Sequence, residues 1–209
     1  WLISRSFDSS LWSDISMTLT RVFIAFALSA LIGVPLGMLM GFFPKVESAF
    51  RLPIDFSRSI PATALFPLFI LLFGTGEEPR IAAAIYGGSL IILMNTMSGV
   101  KQANIARIKA AKAYGAKGWN LFYYVLIPEA LPSIFTGFRL GVSLAFVIII
   151  LVEMFIGTSS GLGHRIIDAQ ILYRIPEVYA SIGLTGIFGY LLNLMFAYME
   201  GRIVHYSGR

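Results

Sequence analysis

Apolar residues fill five long stretches of the chain, with shorter polar stretches between them. The first, about 16–43, carries one charge, Arg21, near its start. A bilayer crossing needs roughly 20 apolar residues, so the pattern predicts a first membrane helix here. Ala30, Gly33, Gly37 and Gly41 recur within it at three- and four-residue spacing. Small residues on one face let a second helix come close, and Pro35 is tolerated where a neighbour covers the freed carbonyl. A polar connector, 44–59, leads to a second span at about 56–73. That span is short and holds Pro61 and Pro67, a pattern that predicts a broken helix with carbonyls turned to a cavity. After the polar turn 74–80 come a third span at 81–100, with Ser89, Asn95 and Thr96 inside it, and a polar segment, 101–128. The fourth span, about 131–156, has Arg139 near its start and Glu153 near its end. A loop predicted over 157–175, with Gly157, Gly161 and Gly163, precedes a fifth span at about 176–199 and a short basic tail. The expectation is one all-α membrane domain, 1–209, of about five transmembrane helices. The mixed residues 1–15 begin with Trp1, which leaves room for a sixth helix ahead of them.

Composition supports this picture. The 209 residues are 57% hydrophobic and 13% charged, against about 25% charged in soluble domains, and mean hydropathy is +0.79. With no cysteine, disulfide and thiol chemistry are excluded. Two histidines, His164 and His205, are too few for a usual zinc site, so no metal is expected. No Gly-x4-Gly-Lys-Ser/Thr phosphate loop occurs, nor any nucleophile–base pair in a soluble cleft, so neither ATP hydrolysis nor another catalytic role is expected of this chain. The net charge of +5 is explained by its placement. Ten lysines and arginines fall on the side holding 44–59, 101–128 and the tail, and four on the other. The positive-inside rule then puts 101–128 and the C-terminus in the cytoplasm and 157–175 outside, and a nucleic-acid partner loses its support.

The segment 101–128 carries the most information. Residues 104–114 are rich in helix formers, and Gly115 can take the left-handed conformation that ends a helix. Residues 118–124 can form a second short helix offering Trp119, Phe122 and Tyr123, with Pro128 and Pro132 marking re-entry into the membrane. Lys109-Ala110-Ala111, three residues, Gly115, nine residues, Val125, Leu126, Ile127 and Pro128 resemble the signature cytoplasmic loop of the permease subunits of bacterial ABC importers. Its usual form is Glu-Ala-Ala, three residues, Gly, nine residues, Ile, one residue, Leu-Pro. Lys109 stands where the family has an acid and reverses that charge. The runs 58–81, 95–102, 131–146 and 152–163 are similar to the nitrate, sulfonate and taurine branch. The resemblance implies a multi-pass protein of the bacterial inner membrane and a second permease copy, most simply an identical one. It also implies two ATP-binding cassette subunits docked on Lys109, Ala110, Ala111, Gly115, Trp119, Phe122, Val125 and Pro128, with ATP and magnesium held there and no cofactor on this chain. An external binding protein would deliver solute, a small oxyanion such as a sulfonate, taurine, nitrate or bicarbonate. Some relatives carry thiamine precursors or other small heterocycles.

Thr63, Ser89, Asn95, Arg139 and Glu153 are the candidates for the pathway. Polar groups in membrane helices also hold helices together, and Arg139 lies close enough to the interface to reach it by snorkelling. Glu153, fourteen residues further on, lies about 21 Å along the helix and cannot pair with Arg139. It is placed to orient the outer loop. The rival classes are an ATP-independent channel or secondary transporter, which predicts inverted repeats or chains of intramembrane acids, and a scaffold without transport.

Overall fold

A computed structural model describes residues 9–155 and 160–203. Helix α1 (Ser9–Phe42) starts seven residues earlier than the predicted span, because Leu11 and Ile15, one turn apart, are both buried in the bundle core. It lies against α4 (Glu78–Lys101), and the predicted glycine stripe is the contact. A Cβ at Gly33 would lie 2.8 Å from the Ser89 carbonyl, and one at Gly37 would lie 2.5 Å from the Leu93 carbonyl. The pairing rises together along both helices, so α1 and α4 run parallel. Helix α6 (Ile127–Phe155) covers the other side of α4 in the opposite sense, Gly141 meeting Ile92 and Ser133 meeting Gly99. Helix α4 is therefore the central post of the bundle. Gly37→Val is expected to lower stability by roughly 1–3 kcal/mol, the usual cost of overpacking, because the obstructing atom is backbone. A thermal midpoint in detergent equal to the parent's would show that the two helices part freely.

The second span departs from expectation. The residues read as a polar connector form a helix, α2 (Pro44–Ser59), none of whose residues is buried. Pro44 opens it from the first turn, where a missing amide costs nothing. Ile60 is extended, as a residue before proline prefers. The chain then bends by 85° into a 3₁₀ turn (Ala62–Leu65) and α3 (Phe66–Phe73), with Pro67 in the first turn of α3. The predicted break falls at Pro61. What the pattern obscured is that the first half of this crossing is charged.

The predicted loop 157–175 is also largely helical. Among its described residues, α7 (Leu162–Ile171) buries Leu162, Gly163, Ile166 and Ala169, an apolar stripe at helical spacing. Gly157 lies outside the described residues. Helix α8 (Ile175–Ile203) closes the bundle and touches it through Leu192 and Phe196, the latter edge-on to Phe26 at 4.7 Å. Most of its apolar side chains face outward. Among the described residues four helices are long and apolar enough to cross a membrane, and the bent α2–α3 pair makes a fifth where it is counted as one span.

Candidate coupling segment and membrane cavity

Between α4 and α6 the chain leaves the apolar bundle and forms α5 (Ile105–Ala113), which buries nothing. The Asn104 side chain caps it, accepting from the Ala106 amide at 2.8 Å. At its other end Gly115 has φ +89°. The amide of Gly115 donates to Lys112 at 3.0 Å and that of Ala116 to Ala111 at 2.9 Å, the paired bonds of a Schellman stop. Lys109 and Ala110 are exposed, Ala111 is half-buried, and Lys109 makes no ion pair among the described residues. Arg107 pairs instead with Glu129 in the first turn of α6.

Gly118, also at positive φ, starts a single helical turn (Trp119–Leu121) that runs without a break through a π-helical stretch (Phe122–Leu126) into α6. This differs from the predicted separate short helix. Pro128 would drive its ring into the Tyr124 carbonyl of a regular α-turn, and the wider turn relieves that clash. Trp119 is 78% exposed and stacks edge-on to Phe122 at 5.1 Å, which in turn meets Phe42 at the end of α1 at 5.3 Å. Val125 is half-buried and Pro128 exposed. All eight expected docking residues thus lie on one exposed projection that is tied to α1 through Phe122 and to α5 through Glu129.

A cavity of about 530 Å³ opens at the bend of the second crossing, between α4 and α6. Thr63 and Asn95 border it, together with Arg58 and Tyr86; Ser89, Arg139 and Glu153 do not. The Ser89 hydroxyl donates to the Tyr86 carbonyl at 3.2 Å. Arg139 lies 3.7 Å from Glu200 and ties α6 to α8.

Glu153 belongs to a buried network at the other end of the bundle from the α5 projection. The Arg21 guanidinium donates to Glu153 at 2.6 Å and grips Glu77 through two nitrogens at 2.5 and 2.7 Å. Arg80 adds a bond to Glu77 at 2.8 Å. The Thr18 hydroxyl contacts both Glu153 oxygens, and the Gly163 amide donates to Glu153 at 3.0 Å. A Cβ at Gly161 would fall 2.5 Å from that carboxyl, and one at Gly163 would fall 2.3 Å from the Ile150 carbonyl, so both glycines are dictated by contact. Arg165 continues the lacing to Asp14 and Glu177, each at 3.3 Å. Arg21 holds the Glu77 carboxyl below its ordinary range through hydrogen bonding and charge. A depressed carboxylate adds stability at neutral pH and loses it as pH falls through the lowered value, so the Arg21–Glu77 pair persists at any pH above the ordinary glutamate range. Sequence reading missed the network; two opposite charges within spans, Arg21 and Glu153, were the available signal.

A bundle of apolar helices with a bent α2–α3 pair, a cavity at the bend and a helical projection at one end is the architecture of a multi-pass membrane protein. The chain belongs to the family of binding-protein-dependent transport system inner membrane components, whose model matches residues 33–205. It is 36% identical over 193 residues to an ABC transporter permease protein of Methanocaldococcus jannaschii, covering 92% of this chain and 72% of that one. It is 30% identical to the taurine transport system permease protein of Escherichia coli, covering 96% and 73%. It is 31% identical to the nitrate import permease protein of Synechocystis, covering 94% and 71%. The fold matches an inward-facing structure of the MetNI methionine ABC transporter with a TM-score of 0.79 at 21% identity, over 97% of this chain and 96% of that one. The chain is thus a multi-pass permease subunit of an ABC importer, in a family that works with separate ATPase subunits and solute-binding proteins.

Proposed function

We propose that this subunit forms, with a second identical copy, the pathway for a small oxyanion across the cytoplasmic (inner) membrane. Two ATPase subunits, which hold ATP and magnesium, dock from the cytoplasm on 101–128. A binding protein delivers solute on the α7 side, and the C-terminus is cytoplasmic. The observation that carries the coupling role is the preformed projection with Trp119 78% exposed and Tyr114 94% exposed. Aromatic surface of that extent, held by a helix stop and an aromatic stack, suits a protein partner. Because Trp119 lies on the same helical run as α6, a shift of the docked tip moves a wall of the cavity. Taurine, aliphatic sulfonate, nitrate and bicarbonate transport among the relatives supports the oxyanion.

The test is the permease reconstituted in liposomes with its ATPase and binding protein. ATP-dependent uptake of a labelled oxyanion is expected, with ATPase stimulation that requires the loaded binding protein. Equal stimulation by free solute without that protein would refute the importer assignment.

A further inference from the structure

We propose that Arg58 is the group that binds the anion in the membrane cavity, and that Asp55 occupies it until solute arrives. This rests on the oxyanion reading above. The first support is depth. Helix α2 runs back along α4: Glu47 pairs with Lys101 at one end, and the Tyr86 hydroxyl donates to the Ser57 carbonyl at 2.7 Å near the other. Tyr86 lies eight residues inside α4, or about 12 Å from its Glu78 end and about 22 Å from Lys101. Arg58 follows Ser57 directly, so a guanidinium sits well within the membrane on a helix that buries nothing. Charged side chains at such depth face a water-filled path or a protein interior rather than lipid.

The second support is the company Arg58 keeps. Ser48, Arg51, Asp55 and Arg58 are spaced by three and four residues, so they make one polar stripe that climbs α2 from the Lys101 level to the cavity. Arg58 is the one charged side chain among the described residues lining the cavity; Tyr86, Thr63 and Asn95 add neutral polar groups, and no acid borders it. A planar guanidinium fork matches the paired oxygens of a sulfonate, nitrate or bicarbonate.

The third support is how Arg58 is held. Its Nη1 lies 3.6 Å from the Asp55 carboxylate, which also lies 4.0 Å from Arg51 Nε. All three side chains are at least half exposed. Pairs of this kind hold weakly, so an incoming anion can take the place of the Asp55 carboxylate. Arg139, the arginine that the sequence offered for the pathway, does not border the cavity.

The experiment compares uptake of labelled taurine, nitrate and bicarbonate by the full reconstituted complex carrying wild-type, R58Q, R58K or D55N permease. R58Q is expected to lower uptake about ten- to a hundredfold, the worth of a charge-assisted hydrogen bond, in a complex that still co-purifies with its ATPase. R58K should keep part of the activity. D55N should transport within about fivefold of wild type, since an exposed pair holds little energy. Equal damage from R58Q and D55N would assign Arg58 a purely structural ion-pair role and overturn the proposal, as would wild-type uptake by R58Q. If the wild-type complex moves none of the three anions, the oxyanion reading falls and the Arg58 assignment falls with it. If it moves one and R58Q moves it equally, the Arg58 assignment alone falls.

Discussion

Glu153→Ala is expected to destabilise the subunit by roughly 3–5 kcal/mol, the cost of breaking a buried ion pair from one side. Glu153 is 1% exposed and Arg21 3%. Removing the carboxylate leaves the buried Arg21 guanidinium with Glu77 as its one remaining carboxylate among the described residues, and takes an acceptor from Thr18 and the Gly163 amide. The thermal midpoint in detergent and the yield of monodisperse protein measure the loss. A midpoint for Glu153→Ala indistinguishable from the parent's would mean that this carboxylate is not what joins α1, α6 and the start of α7.

Gly115→Pro is expected to abolish co-purification of the ATPase while the membrane helices still insert. Proline is fixed near φ −65°, whereas Gly115 sits at φ +89°, and proline also lacks the amide that reaches Lys112. Helix α5 would lose its stop, and the path to Trp119 would change. Gly115→Ala, which pays only the left-handed penalty of about 1–2 kcal/mol, should weaken association without removing it. A bulky residue at the half-buried Ala111 should act like Gly115→Pro. Survival of the complex through both severe changes would sink the docking assignment. Insertion is checked separately by membrane fractionation, so a misfolded variant is not mistaken for an uncoupled one.

Several features of this fold were legible because local chemistry specifies them. The glycine stripe of α1 identified a close helix contact before its partner, α4, was known. Pro61 marked the bend, and Gly115 marked the end of α5. Helix α2 was not legible: its lysines, arginines and acids read as solvent-facing loop, although Pro44 at the start and the three- and four-residue polar spacing were compatible with a helix. Helix α7 was hidden for a similar reason, the glycines around 161 suggesting a turn where they in fact make room for Glu153. The network itself could not be read from spacing, since Arg21 and Glu153 are 132 positions apart and only the packing of α1 and α6 on α4 brings them together.

From Trp119 to Phe155 the backbone stays helical without interruption. The aromatic tip and the Glu153 carboxylate are therefore mounted on one shaft, about 50 Å apart at 1.5 Å per residue. The tip and the carboxylate are thus joined through continuous backbone, with the π-helical stretch and Pro132 as the two places on it where a helix bends. The π-helical stretch sets the phase between them. Each residue of an α-helix advances the azimuth by about 100°, so the extra residue accommodated there sets how Phe122, which meets Phe42, is turned relative to Glu153, which meets Arg21.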